Sequence, residues 1–119
     1  MRFKAFPYYW GAIAVMKSLS ALFFSLVPGK RSDRVTLSAC TGRVRHMGRF
    51  FESRSYTFIL DDRLTGGEAE VLLLDRKKQP ILRLNRQHPC ETVELDGENS
   101  RYYLRWEFRK ASGQCELRW

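Results

Sequence analysis

The alternation of apolar and polar side chains divides the chain near residue 54. Before it, residues 7–27 read PYYWGAIAVMKSLSALFFSLV, an almost unbroken apolar run. Beyond it the period is two. Tyr56, Phe58 and Leu60 alternate with Ser55, Thr57 and Ile59. DDRLTGG at 61–67 reads as a turn, and VLLL at 71–74 as a short strand covered on both faces. A polar turn at 75–79 leads to a strand over 81–84. Pro80 stands at its start, where a missing N–H is tolerated. Residues 92–95 form the next strand, and Asp96-Gly97-Glu98-Asn99 a turn. The clearest strand is RYYLRWEFRK at 101–110. Tyr102, Leu104, Trp106 and Phe108 line its buried face, and Arg101, Tyr103, Arg105, Glu107 and Arg109 its wet face. ASGQ at 111–114 then reads as a turn into a last strand bearing Cys115, Leu117 and Trp119, which makes a hairpin. RVRHMGRFF at 43–51 adds a further strand.

Six to seven short strands with one preceding helix predict a mainly β chain, a small antiparallel β-sandwich or jelly-roll-like domain. Three segments follow. Residues 1–34 are an apolar signal or membrane-anchor segment. Residues 35–54 are a basic connection that holds the first strands, and residues 55–119 are the β domain. As a helix, 7–27 would be about 31 Å long, close to one bilayer core. Pro7 suits its first turn and Pro28-Gly29 its end. Lys17 falls near the midpoint, and its insertion cost of about 2.5–3.5 kcal/mol roughly cancels the gain from the eight Leu, Ile, Phe and Val residues. Two other parsings stay open: Met16-Lys17 as a basic start before a short signal-like run over 18–27, or a core helix of a soluble protein.

Leu37-Ser38-Ala39-Cys40 resembles the lipobox of bacterial lipoproteins, and the resemblance implies export and lipid attachment at Cys40. The basic flank at 30–34 points the other way, since cations after an apolar segment favour the cytoplasmic side. Val35-Thr36-Leu37 also reads as a plain strand. The rhythm of 56–58, 71–75, 102–105 and 111–113 is similar to small extracytoplasmic β-sandwiches of the bacterial pre-peptidase C-terminal type. That likeness implies an accessory module on secreted or anchored proteins. The family's calcium-binding loop positions are not matched, so no site carries over.

Charge changes the picture only in the first half. The net charge is +8. Residues 1–34 hold six Lys/Arg and one acid, 35–54 four and one, and 55–119 eleven of each. A uniformly basic nucleic-acid-binding domain is therefore disfavoured. Arg43, Arg45 and Arg49 interleave with Phe50, a pattern suited to anionic lipid or single-stranded nucleic acid. Tyr103, Arg105 and Arg109 offer a second surface, for a protein or glycan partner.

Three cysteines leave Cys90 and Cys115 as a candidate disulfide once Cys40 is lipidated. The alternative is a core Cys115 with Cys90 free. His88-x-Cys90, even with His46, fits no standard zinc spacing. Asp61-Asp62 and Asp96-Gly97-Glu98 read as turn formers. Gly66-Gly67 lacks the Lys-Ser/Thr of a phosphate loop. No catalytic residue, metal or cofactor is assigned. The expectation is a non-catalytic β module, anchored through residues 7–27 or exported, with a binding or structural role at the bacterial cell envelope. The alternative is a cytosolic basic protein that uses residues 30–54 on nucleic acid or anionic lipid.

Overall fold

The computed structural model describes residues 14–48, 50–97 and 101–119. They form seven strands: β1 (Ala14–Ser20), β2 (Phe23–Pro28), β3 (Ser32–Met47), β4 (Arg54–Leu74), β5 (Pro80–Leu84), β6 (Cys90–Leu95) and β7 (Tyr103–Arg118). All pairings are antiparallel and belong to one sheet. β1 and β2 follow each other along one edge of β3, with Ala14 opposite His46 and Pro28 opposite Asp33. β5 and β6 do the same along β4. β7 lies between β3 and β4.

The three long strands are each interrupted by residues with positive φ. These are Ala39 (50°) and Gly42 (137°) in β3, Gly67 (75°) in β4, and Lys110 (46°) and Gly113 (124°) in β7. The register shifts at the same level, between Leu37 and Gly42 and between Leu64 and Glu68. Such bulges sharpen twist and bend a sheet. Two glycines are required there. A Cβ on Gly67 would fall on the Lys110 carbonyl, and one on Gly113 would lie 2.8 Å from the Leu64 Cα. Side chains take up N–H groups in this region. Ala39 N–H donates to Ser112 Oγ (2.8 Å), Lys110 N–H to Thr41 Oγ1 (3.0 Å) and Leu64 N–H to Asp62 Oδ1 (3.0 Å).

The bend is large. Asp33 and His46 stand near opposite ends of β3, and a straight strand would hold them about 43 Å apart. Their side chains instead meet at 2.7 Å, Oδ2 to Nε2, with no exposure. The sheet therefore folds back on itself into two facing halves. Half I contains β1, β5, the C-terminal parts of β3 and β4 and the N-terminal part of β7. Half II contains β2, β6 and the remaining parts of the long strands.

One core cluster fills the space between them. Phe24 of half II meets Phe108 of half I edge-on at 5.9 Å, and Trp106 stacks on Phe108 at 5.9 Å. Phe50 seals the open end against Tyr56, Phe58, Tyr102 and Trp119, with ring centroids 5.1–6.4 Å apart. Strands on both sides of residue 54 share this sheet and this core.

Several expectations change. The helix expected over 7–27 is absent from 14 onward, where β1 and β2 take its place. The reason is period-two burial: Phe24 and Leu26 face the core, while Phe23 and Val27 are exposed. Residues 7–13 lie outside the described residues. No helix among the described residues is long and apolar enough to cross a membrane. The turns expected at 61–67 and 111–114 are bulges inside β4 and β7, so the terminal hairpin is one continuous strand. The two packed sheets expected of a sandwich are one folded sheet. The strands at 81–84 and 92–95, and full burial of 71–74, are present as expected.

Candidate binding face

Register assembles the candidate residues. Arg43, Arg45 and Met47 on β3 lie opposite Glu107, Arg105 and Tyr103 on β7. On the other side of β7, these pair with Glu70, Leu72 and Leu74 of β4, and Leu72 with Arg83 of β5. Directly opposed residues share a face. The interleaved Val44, Val71, Leu104 and Trp106 are core, so this set is the outer face of half I. Leu72 and Leu74 point outward and yet are fully buried. The cross-strand neighbours of Leu72 are Arg83 and Arg105, and those of Leu74 are Pro80 and Tyr103; arginine stems readily cover apolar surface.

The resulting face has an aromatic centre and a cationic surround. Arg45 and Lys78 each lie 5.7 Å from the Tyr103 ring centroid. Arg43 and Arg105 approach Glu107 at 3.5 and 3.4 Å, Arg83 approaches Glu70 at 3.3 Å, and Arg109 approaches Glu68 at 3.9 Å. Six cations (Arg43, Arg45, Lys78, Arg83, Arg105, Arg109) thus share the face with three carboxylates. Exposed pairs of this kind are worth about 0–1 kcal/mol. The guanidinium groups remain available to an external anion.

Toward the bend the face runs into a groove of about 470 Å³, lined by Arg43, Glu107, Arg109, Glu70, Asn85 and Arg86 among others. Its wall is the β5–β6 connection. Arg86 Nη2 donates to Asp62 Oδ1 at 3.0 Å and pins that connection to the bulge of β4. The groove lining is mixed in charge.

No protein-family model, curated protein or solved structure matches this chain. The chemistry of the face is therefore read from its own residues. Two surfaces that sequence reading kept apart, Arg43/Arg45 and Tyr103/Arg105/Arg109, are neighbours. Arg49 lies outside the described residues. Phe50 belongs to the aromatic seal and is buried, so it leaves the surface set. Lys78, Arg83, Glu70 and Met47 were missed. For Arg83, Glu70 and Met47 the only sequence signal is strand parity, which tells nothing without the register, and Lys78 lies in the β4–β5 connection.

The cysteines occupy other places. Cys40 is fully buried at the bend of β3, and cleavage before it would remove β1, β2 and half of β3. Cys90 and Cys115 are both free thiols, Cys90 exposed and Cys115 buried, which is the arrangement of the alternative to the candidate disulfide. They lie on opposite sides of β4, Cys90 opposite Ile59 and Cys115 opposite Asp62. Two strand spacings and three residues put their Cα atoms about 14 Å apart, well beyond the roughly 7 Å that a bridge tolerates. His88 pairs with Glu91 at 3.2 Å on the surface. Among the described residues no group of three or more His, Cys, Asp or Glu could hold a metal.

Burial pushes the Cys40 thiol up to about 12, and burial, then the nearby Asp62 charge, pushes Cys115 up to about 12. Thiolates do the reacting. Native protein should therefore titrate one thiol with a disulfide reagent near neutral pH, Cys90, and three in denaturant. Two fast thiols in the native state would contradict the buried placement. The folded state keeps protons that the unfolded state releases above its ordinary value of 9.0. Stability therefore falls as pH climbs from 9 toward 12.

Proposed function

We propose that this protein is a non-catalytic binding module that docks on an anionic lipid surface of the cell envelope through the outer face of half I. The carrying observation is the joining of Arg43 and Arg45 to Tyr103 and Arg105 across the β3–β7 register. A face with six cations, an amphipathic tyrosine and the half-exposed Met47 suits phosphate headgroups and the layer just beneath them. Each basic residue near such a surface adds about 1 kcal/mol. β1 and β2 fall in the apolar run that first suggested membrane contact, and the contact proposed here is this face.

Vesicle flotation tests the reading. The full chain should float with phosphatidylglycerol-containing vesicles and not with pure phosphatidylcholine. Binding should weaken as salt shortens the screening length. R43S/R45S/R105S should lose most of it while remaining folded. If the triple variant binds as wild type does, the face is not the contact. Retention on single-stranded oligonucleotide with no vesicle binding would support the nucleic-acid alternative instead.

A further inference from the structure

Among the described residues the folded sheet has two long edges with no further strand paired to them, and its four edge strands are not alike. Natural edges are protected from pairing by charge, proline or bulges. β1 carries Lys17 and a register irregularity between Lys17 and Ser20. β5 carries Pro80 and Arg83, and β6 carries Glu91 and Glu94. β2, FFSLVP, has no charge and pairs without irregularity. It also holds exposed apolar side chains: Phe23 (45%) and Val27 (43%), with Leu22 (67%) just before it.

The backbone polarity of this edge follows from the turn that closes β2 on β3. Gly29 N–H donates to the Ser32 carbonyl at 2.6 Å, so Gly29 and Ser32 form a hydrogen-bonded pair. Such pairs alternate in an antiparallel ladder. Val27, Ser25 and Phe23 therefore direct their N–H and C=O groups to β3. Phe24 and Leu26 direct theirs away from it, along the open edge.

We infer that β2 is a dimer interface, joining two copies edge to edge by antiparallel β2–β2 pairing centred on Ser25. In that register Phe24 of each copy opposes Leu26 of the other. Their outward N–H and C=O groups make four intermolecular hydrogen bonds. The missing N–H of Pro28 falls outside this ladder. On the outer face Phe23 opposes the second copy's Val27, and Leu22 approaches the second copy's Pro28. All three exposed apolar residues of the edge gain an apolar neighbour. The segment is self-complementary, so the two-fold axis needs no change of conformation. The inference is independent of the lipid-binding reading, which concerns the other half of the sheet.

The test is solution mass by light scattering over a dilution series of the full chain. The wild type should give twice the 14.0 kDa chain mass and dissociate on dilution. F23K/V27K sets lysine against lysine across the interface and should be monomeric. F23K/V27E sets lysine against glutamate and should recover the dimer. Far-UV circular dichroism confirms that each variant is folded. Ser25 faces its own copy in a non-hydrogen-bonded pair, with Cα atoms about 4.5 Å apart. S25C in a C90S background should therefore oxidise to a covalent dimer, a readout that does not depend on the charged variants. A monomeric wild type, a dimeric F23K/V27K or no cross-link at residue 25 would each overturn the inference.

Discussion

Replacing His46 with Ala should cost about 3–5 kcal/mol of stability, because it removes the 2.7 Å contact from an Asp33 carboxyl group that stays fully buried. The pair has no exposure, and His46 Nδ1 lies 3.2 Å from the Met47 carbonyl on its other side. D33A should cost a similar amount, since it strands His46 instead. A domain of this size holds roughly 5–15 kcal/mol in total, so either change consumes a large part of it. D33L/H46L should recover much of the loss, because replacing both partners with apolar groups removes the buried polar atoms along with the bond. The check is the urea midpoint of the four proteins. A double variant as unstable as the sum of the singles would show that the two side chains do not act as a pair. The pair also joins the two ends of β3, so the single variants should loosen the fold-back itself.

Trp106→Ala should be comparably severe, at about 3–5 kcal/mol. Trp106 lies in the central strand β7, is fully buried, faces Val44 and Val71 across both strand pairings, and stacks on Phe108. Its Nε1 has no hydrogen-bond partner among the described residues. An unsatisfied buried donor is itself costly. Trp106→Phe should therefore cost much less than its lost area suggests, on the order of 1 kcal/mol. Thermal unfolding of the three proteins decides the matter. A Phe variant as unstable as the Ala variant would mean that shape, not the orphaned N–H, governs the site.

What could be read from the sequence was local. The alternation of Tyr56, Phe58 and Leu60, and of Tyr102, Leu104, Trp106 and Phe108, assigned the core face correctly. Pro80 marked the start of β5. The bend could not be read, because a bulge and a turn use the same residues. DDRLTGG and ASGQ contain the glycines and short polar side chains of either. The helix expected over the apolar run gives way to β1 and β2 from residue 14 onward for a related reason. Short apolar stretches are compatible with a buried strand or a helix, and periodicity alone does not separate them. The Asp33–His46 pair had no sequence signal, being near the two ends of one strand. The candidate face was half legible. Its arginines and tyrosine were identified, but as two surfaces, and Phe50 was placed outside although it seals the core.

The most direct measurement of the lipid-docking face is a residue-level footprint by nuclear magnetic resonance, with anionic vesicles or bicelles added to the full chain. The account predicts attenuation and shift at Arg43, Arg45, Met47, Tyr103 and Arg105. Thr36 and Gln114, on the outer face of half II, should remain unperturbed. A footprint centred on half II, or one spread evenly over both halves, would contradict it.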